Sequence, residues 1–156
     1  MGAGKTTVAG LLAEAWGVAV RDTDADVEAA EGRTVSEIFV DSGEEHFRAL
    51  EAKAVAEALA THEGVLALGG GAALDPATRG LLQGHRVVFL RVGLSDAVKR
   101  VGLGTSRPLL LGNVRGRIKQ LLDERTPVYE SVATLVVDTD GRSPEDVAAE
   151  VMEALS

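Results

Sequence analysis

The sequence predicts an α/β fold, a parallel sheet with helices on both faces, from three observations. Short apolar runs suited to strands alternate with helical patterns along the whole chain. Two of those runs, Val65-Leu66-Ala67-Leu68 and Val87-Val88-Phe89-Leu90, are continuous, as in strands covered on both faces. The chain also opens Gly2-Ala3-Gly4-Lys5-Thr6-Thr7 directly before a helical pattern. That arrangement reads as the second half of a P-loop, whose glycines let backbone N–H groups approach a polyphosphate.

Each element follows from its own signals. Val8, Leu11, Leu12 and Ala15 keep helical spacing from Gly4 to Trp16, and Gly17 stops the pattern. Val18-Ala19-Val20 forms a short strand that delivers Asp22-Thr23-Asp24 as an extended segment at its carboxyl end. Two capping boxes follow, Thr34-x-x-Glu37 for a helix through Phe39 and Ser42-x-x-Glu45 for a longer one through about Leu59. The Val65 strand empties into Gly69-Gly70-Gly71, and Asp75-Pro76 starts a helix ending near Gly84. After the Val87 strand, Ser95 caps a helix reaching about Val101, and Gly102 to Pro108 breaks the pattern as a loop. A helix from about Val114 to Arg125 has Pro127 just beyond it, Thr134 to Val137 is the last strand, and Ser143-Pro144 caps the terminal helix.

The totals narrow the possible partners. At 156 residues the chain fits one domain with a real core, and 46% apolar with 26% charged residues is ordinary for a soluble protein. A formal charge of −8 argues against nonspecific nucleic-acid binding, which runs on phosphate neutralisation. The absence of cysteine excludes disulfides and thiolate metal sites. No apolar run has the length of a membrane span and no signal-peptide h-region opens the chain, so a cytoplasmic location is expected.

In such sheets ligands collect at the carboxyl ends of strands. Asp22 and Asp24 could face one crevice there, one near Mg²⁺ and the other accepting a hydroxyl proton; equally, they could form a turn and an N-cap. Gly69-Gly70-Gly71 would bring backbone close to a ligand, or would be a plain flexible turn. Arg48 could clamp a carboxylate bidentately, or pair with Glu44 or Glu51 on a solvated face. Arg107 and Arg125 carry the same two readings, although an arginine in a Gly-rich loop suits a transferring phosphoryl group. His46, His62 and His85 show no metal-ligand spacing.

Taken jointly these stretches carry more. Gly-x-Gly-Lys-Thr-Thr, Asp22-Thr23-Asp24, Gly43-Glu44-x-x-Phe47-Arg48-x-x-Glu51, Leu68-Gly69-Gly70-Gly71-Ala72, Arg107-Pro108-Leu109-Leu110 and Arg125-x-Pro127-x-Tyr129 resemble shikimate kinase in order and spacing over nearly the whole chain. The resemblance implies a P-loop kinase fold similar to nucleoside monophosphate kinases, a five-stranded parallel sheet in the order 2-3-1-4-5. It implies transfer of the γ-phosphoryl of ATP to the 3-hydroxyl of shikimate, with Mg²⁺, by a monomer. The domain would be single over 1–156, with a substrate-binding insert at about 24–62 and a lid at about 102–114.

Carried over by position, Gly2, Ala3, Gly4, Lys5, Thr6 and Thr7 would cradle the ATP phosphates, with Lys5 at the β/γ oxygens. Thr6 would bind Mg²⁺ and Asp22 would support it through water. Asp24 would orient the acceptor hydroxyl and take its proton. Arg48 and Arg125 would grip the shikimate carboxylate, Gly69, Gly70 and Gly71 would approach its ring, and Phe39 and Phe47 would wall the pocket. Arg107 would enter from the lid, and Arg100 would lie against adenine.

The family's usual chain has a buried strand and a further glycine before the point where this one begins. In the expected strand order that strand is central, between the Val65 and Val87 strands. The expectation is therefore that the biological start lies upstream and that Met1 is internal to the P-loop. Two rival readings are another small-metabolite kinase of this fold, such as a gluconate kinase, and a non-catalytic nucleotide-binding remnant.

Overall fold

The computed structural model describes residues 4–104 and 114–155, and the side chains of 4–99 and 115–155. Over these residues the chain makes two compact units, one from Ala9–His85 and one from Met1–Val8 with Arg86–Ser156. In the first, β1 (Val20–Asp22) pairs in parallel with β2 (Val65–Ala67). In the second, β3 (Val88–Arg91) pairs in parallel with β4 (Leu135–Asp138). These are the outer pairs, 2-3 and 4-5, of the expected strand order.

Helix α1 (Lys5–Trp16) buries Val8, Ala9, Leu12 and Ala13, whereas Ala15, expected on that face, is exposed. β1 starts later than its apolar run because the ladder sets the register. Ala19 C=O already accepts from Val65 N–H at 3.0 Å, and Val20 then faces Val65. His62 reinforces this start, its Nε2 lying 3.2 Å from Ala19 C=O and 3.1 Å from Val65 C=O. Of β2, only Ala67 is fully buried; a two-stranded sheet leaves an edge along each strand, so Val65 and Leu66 are half-buried where complete cover was expected.

Asp22-Thr23-Asp24 is not an extended segment. Asp22 ends β1 and becomes the N-cap of α2 (Thr23–Glu31), its Oδ1 accepting from Asp24 N–H at 2.9 Å. Asp24 and Asp26 then occupy the first turn, where the helix dipole favours negative charge. Helix α3 (Val35–Ser42) carries the expected box, Thr34 and Glu37 capping each other reciprocally. The second box does not form, because Ser42 is the last residue of α3. Gly43, at φ 87° and ψ 165°, separates α3 from α4 (Glu44–Thr61): its N–H reaches Ile38 and Phe39 C=O, and its C=O accepts from Phe47 N–H at 3.2 Å. Val27, Ile38, Phe47 and Ala54 form the core of these three helices, with Val35, Phe39 and Leu50 packed around them. After β2, Gly69–Gly71 lead into a 3-10 turn (Ala72–Leu74), and Asp75 caps α5 (Pro76–Leu82) through Ala77 N–H as expected.

In the second unit, α6 (Leu94–Gly104) begins before Ser95, which is therefore not its cap, and it runs on through Gly102, where a loop was expected. Helix α7 (Val114–Val132) continues past Pro127 instead of ending near Arg125. Proline inside a helix loses one N–H bond and crowds the preceding turn. The continuation is held by Tyr129, whose ring packs 5.1 Å from that of Phe89, and by Ala133 N–H donating to Tyr129 C=O at 3.0 Å. Val92, Ala97 and Ile118 make a small core with Leu94, Val98 and Leu122. Ser143 Oγ accepts from Asp146 N–H in the first turn of α8 (Pro144–Leu155), the cap the sequence predicts.

The turns leaving β3 and β4 are tied together. Arg91 and Asp138 are register partners joined by two hydrogen bonds of 2.6 and 3.0 Å. Thr139 donates to Arg91 C=O through both N–H and Oγ1, each at 2.9 Å. Beyond them, Gly93 N–H donates to the Asp140 carboxylate at 2.9 and 3.0 Å, and Gly141 N–H donates to Asp96 Oδ2 at 2.9 Å.

Candidate active site

The Ala9–His85 unit gathers Asp24, Arg48, Glu51, Gly69 and Gly71 around the carboxyl end of β2. Asp24 arrives from the first turn of α2, and Arg48 and Glu51 from successive turns of α4. The loop that follows β2 passes between them with no room for side chains. A Cβ on Gly69 would stand 2.8 Å from Asp24 Oδ1 and 2.9 Å from Glu51 Oε2. One on Gly71 would fall 2.5 Å from Arg48 Cζ. Gly69 and Gly71 are therefore glycine because charged groups of the protein press on them, while Gly70 between them is exposed.

Arg48 makes both of the pairings that the sequence left open, and they differ in kind. Its Nη1 donates to Glu51 Oε1 at 2.8 Å, and the Glu51 side chain is only 4% exposed. Its Nη2 reaches Glu44 Oε1 at 3.4 Å, on the solvent side. The guanidinium also lies 5.4 Å from the Phe47 ring centroid, within cation–π reach. Burial works against the charge of Arg48, but hydrogen bonding and attraction to Glu51, and then Glu44, outweigh it and hold its pKa above the ordinary value. Arginine has five N–H donors; two are engaged here, which leaves three for a ligand. Phe39 and Phe47, with ring centroids 5.0 Å apart, stand behind this group.

Glu51 is not among the site residues that the sequence singles out. Its signals were its place three residues after Arg48, one helical turn away, and its presence in the Phe47-Arg48-x-x-Glu51 stretch. Its burial could not be read from α4 itself, where a charged residue occupies a core position.

Of the other candidates, Asp22 lies in the first unit, and Gly4, Lys5, Thr6, Thr7 and Arg125 lie in the second. Gly4 precedes α1 with its C=O accepting from Val8 N–H at 3.0 Å; Thr6 and Thr7 are exposed and Lys5 is half-buried at that helix start. A helix start of this kind points its first N–H groups at any anion placed there. Arg125 is half-buried on α7. Gly2, Ala3 and Arg107 fall outside the described residues, as does most of the expected lid. Arg100 is within α6, and its side chain is outside them too. A cavity of about 400 Å³ in this unit is lined by Val92, Leu94, Lys119, Leu122, Asp123, Thr126 and Pro127, none of them a site residue expected from the sequence.

Oxygen donors suited to a hard cation are found in each unit, taken by itself. Among the described residues no group of three or more His, Cys, Asp or Glu side chains is placed to cage a metal. Mg²⁺ takes few protein ligands and keeps waters and phosphate oxygens. The exposed Thr6 hydroxyl is such a donor, and so is the Asp22 carboxylate, which gives Oδ1 to the α2 cap and leaves Oδ2.

The shikimate kinase family model matches residues 1–156. The shikimate kinase of Thermobifida fusca is 60% identical over 154 residues, covering 99% of this chain and 90% of its own length. That of Salinispora arenicola is 60% identical over 155 residues, with 99% and 93% covered. Among solved structures, shikimate kinase from Acinetobacter baumannii in complex with shikimate superposes with a TM-score of 0.91 at 34% identity, over 99% of this chain and 88% of its own. Identity of this order along the whole chain, on a P-loop kinase fold, places the chain in the shikimate kinase family of phosphotransferases.

Proposed function

We propose that this chain phosphorylates the 3-hydroxyl of shikimate at the expense of ATP, giving shikimate 3-phosphate and ADP for aromatic amino-acid biosynthesis. The observation that carries the reading is the cluster at the end of β2. A guanidinium anchored by the buried Glu51 keeps three donors for a ligand, and the Asp24 carboxylate lies on the same glycine loop. A small molecule bearing a carboxylate at one end and a hydroxyl at the other is the ligand class that this pair suits.

In this reading Arg48 and Arg125 hold the substrate carboxylate, Phe39 and Phe47 wall its ring, and Gly69, Gly70 and Gly71 let backbone approach it. Asp24 orients the acceptor hydroxyl and takes its proton as the oxygen bonds to the γ-phosphorus. The bond from that phosphorus to the β–γ bridging oxygen breaks, and ADP leaves. Gly2 to Thr7 cradle the phosphates, Lys5 and Arg107 face the charge that shifts during transfer, and Arg100 lies against the base. Mg²⁺, held by Thr6 and through water by Asp22, would neutralise charge on the β and γ oxygens. The chain acts as one domain with its insert at about 24–62 and lid at about 102–114, as a monomer in the cytoplasm; no described helix is long and apolar enough to cross a membrane.

The test is ADP release measured with ATP, Mg²⁺ and shikimate, with the product followed by phosphorus NMR. Release that depends on shikimate and yields a 3-phosphate ester supports the reading. Release that ignores shikimate but responds to gluconate, or no release from folded protein, overturns it.

A further inference from the structure

The crossed tie between the β3–α6 and β4–α8 turns has no evident structural purpose. Asp140, from the second turn, accepts from Gly93 N–H in the first, and Asp96, from α6, accepts from Gly141 N–H in the second. Each side thus gives one carboxylate and one N–H group, so both separation and rotation of the turns are fixed. A Cβ on Gly93 would stand 2.6 Å from Asp140 Oδ2, which shows how closely they meet. Asp140 and Gly141 are exposed, so the tie buries little. The helices are already held without it, α6 by the fully buried Ala97 and α8 by Val147 and Val151. Hydrogen bonds at such an exposed place add little to stability. What the tie does fix is the shape of two turns at the carboxyl ends of neighbouring parallel strands, where ligands of such sheets bind.

We infer that Asp96 and Asp140 are positioning residues for the nucleotide, holding the β3 and β4 turns in the arrangement that receives ATP. The inference rests on the proposed kinase reading. It assigns the tie to ATP because these turns share a compact unit with Gly4, Lys5, Thr6 and Thr7, whereas Asp24, Arg48, Gly69 and Gly71 belong to the other unit.

The test uses the full chain with Asp140→Ala, Asp96→Ala and Gly93→Ala, and with Asp140→Asn as the conservative variant. The expected result is a rise of about tenfold in the KM for ATP and in the Kd for ADP by calorimetry in the three disrupting variants. The KM for shikimate and the thermal midpoint should stay close to those of the parent. Asp140→Asn, which keeps an acceptor oxygen, should recover most of the loss. Gly93→Ala removes no polar group, so its agreement with Asp140→Ala ties the effect to the spacing of the turns. Equal losses for both substrates, a fall in kcat alone, or unchanged ATP affinity in folded variants would overturn the assignment while leaving an active parent enzyme. A parent that binds ADP but does not phosphorylate shikimate would instead remove the kinase reading on which it rests.

Discussion

Arg91 meets Asp138 across the β3–β4 ladder through two hydrogen bonds, of 2.6 and 3.0 Å, while Arg48 meets Glu51 within α4 through one of 2.8 Å. By geometry the first pair is the better formed. Its partners, however, are 42% and 63% exposed, so water competes for both, whereas the Glu51 side chain is 4% exposed and has lost its hydration. Exposed pairs contribute little, and a buried carboxylate deprived of its partner is costly. Solvent access, and not the quality of the contact, decides which arginine matters. The one proposed to hold substrate is the less ideal.

The sharpest way to break this comparison is Arg48→Ala. It should weaken shikimate binding about a hundredfold, leave ATP binding nearly intact, and destabilise the fold by about 3 kcal/mol because Glu51 stays buried without its guanidinium. Calorimetry and urea melts measure both; a stability loss no larger than that of Arg91→Ala would end the argument from burial. Next comes Gly71→Ala, whose added methyl collides with the Arg48 guanidinium. Overpacking of this kind costs about 1–3 kcal/mol, and the KM for shikimate should rise while Arg48 itself is unchanged.

A smaller effect is expected in acid. Asp138 has its pKa lowered, first by the hydrogen bond from Arg91 and, against some opposing burial, by attraction to Arg91 and Arg142. Its contribution is present above the unfolded value of about 3.9 and drains as pH falls through the lower folded value. Asp138→Asn should therefore lower the urea midpoint slightly near neutrality and converge on the parent as pH falls from about 5 to about 2. Smallest of all should be Arg91→Gln at neutral pH, a midpoint shift below that of either variant near Arg48. The raised pKa values of Arg48 and Arg91 place their titration at the alkaline extreme, so neither contributes a pH dependence in the working range.

Much of the fold was legible where a local signal agreed with its surroundings. Thr34 with Glu37, Asp75 with Pro76, and Ser143 all cap helices as their chemistry suggests. Legibility failed where one residue served two elements or a distant partner overruled a local rule. Asp22 belongs at once to β1 and to the cap of α2, so the strand reading concealed the helix. Pro127 is carried inside α7 with Tyr129 lodged on Phe89, a contact that no window of sequence contains. At the site, the glycines after β2 announced a close approach, but what approaches them, Asp24, Glu51 and Arg48, comes from elements far apart in the chain.

Gly43 shows where the shape of the site is set. Its backbone lies in a region that side-chain-bearing residues avoid. It ends one helix, starts the next, and so aims Phe39 and Phe47 at each other without touching either ring. Anyone wishing to recut the proposed aromatic wall for a larger acid would do well to adjust this elbow before replacing the phenylalanines. A change of a few degrees there swings a whole helix, and Arg48 travels with it.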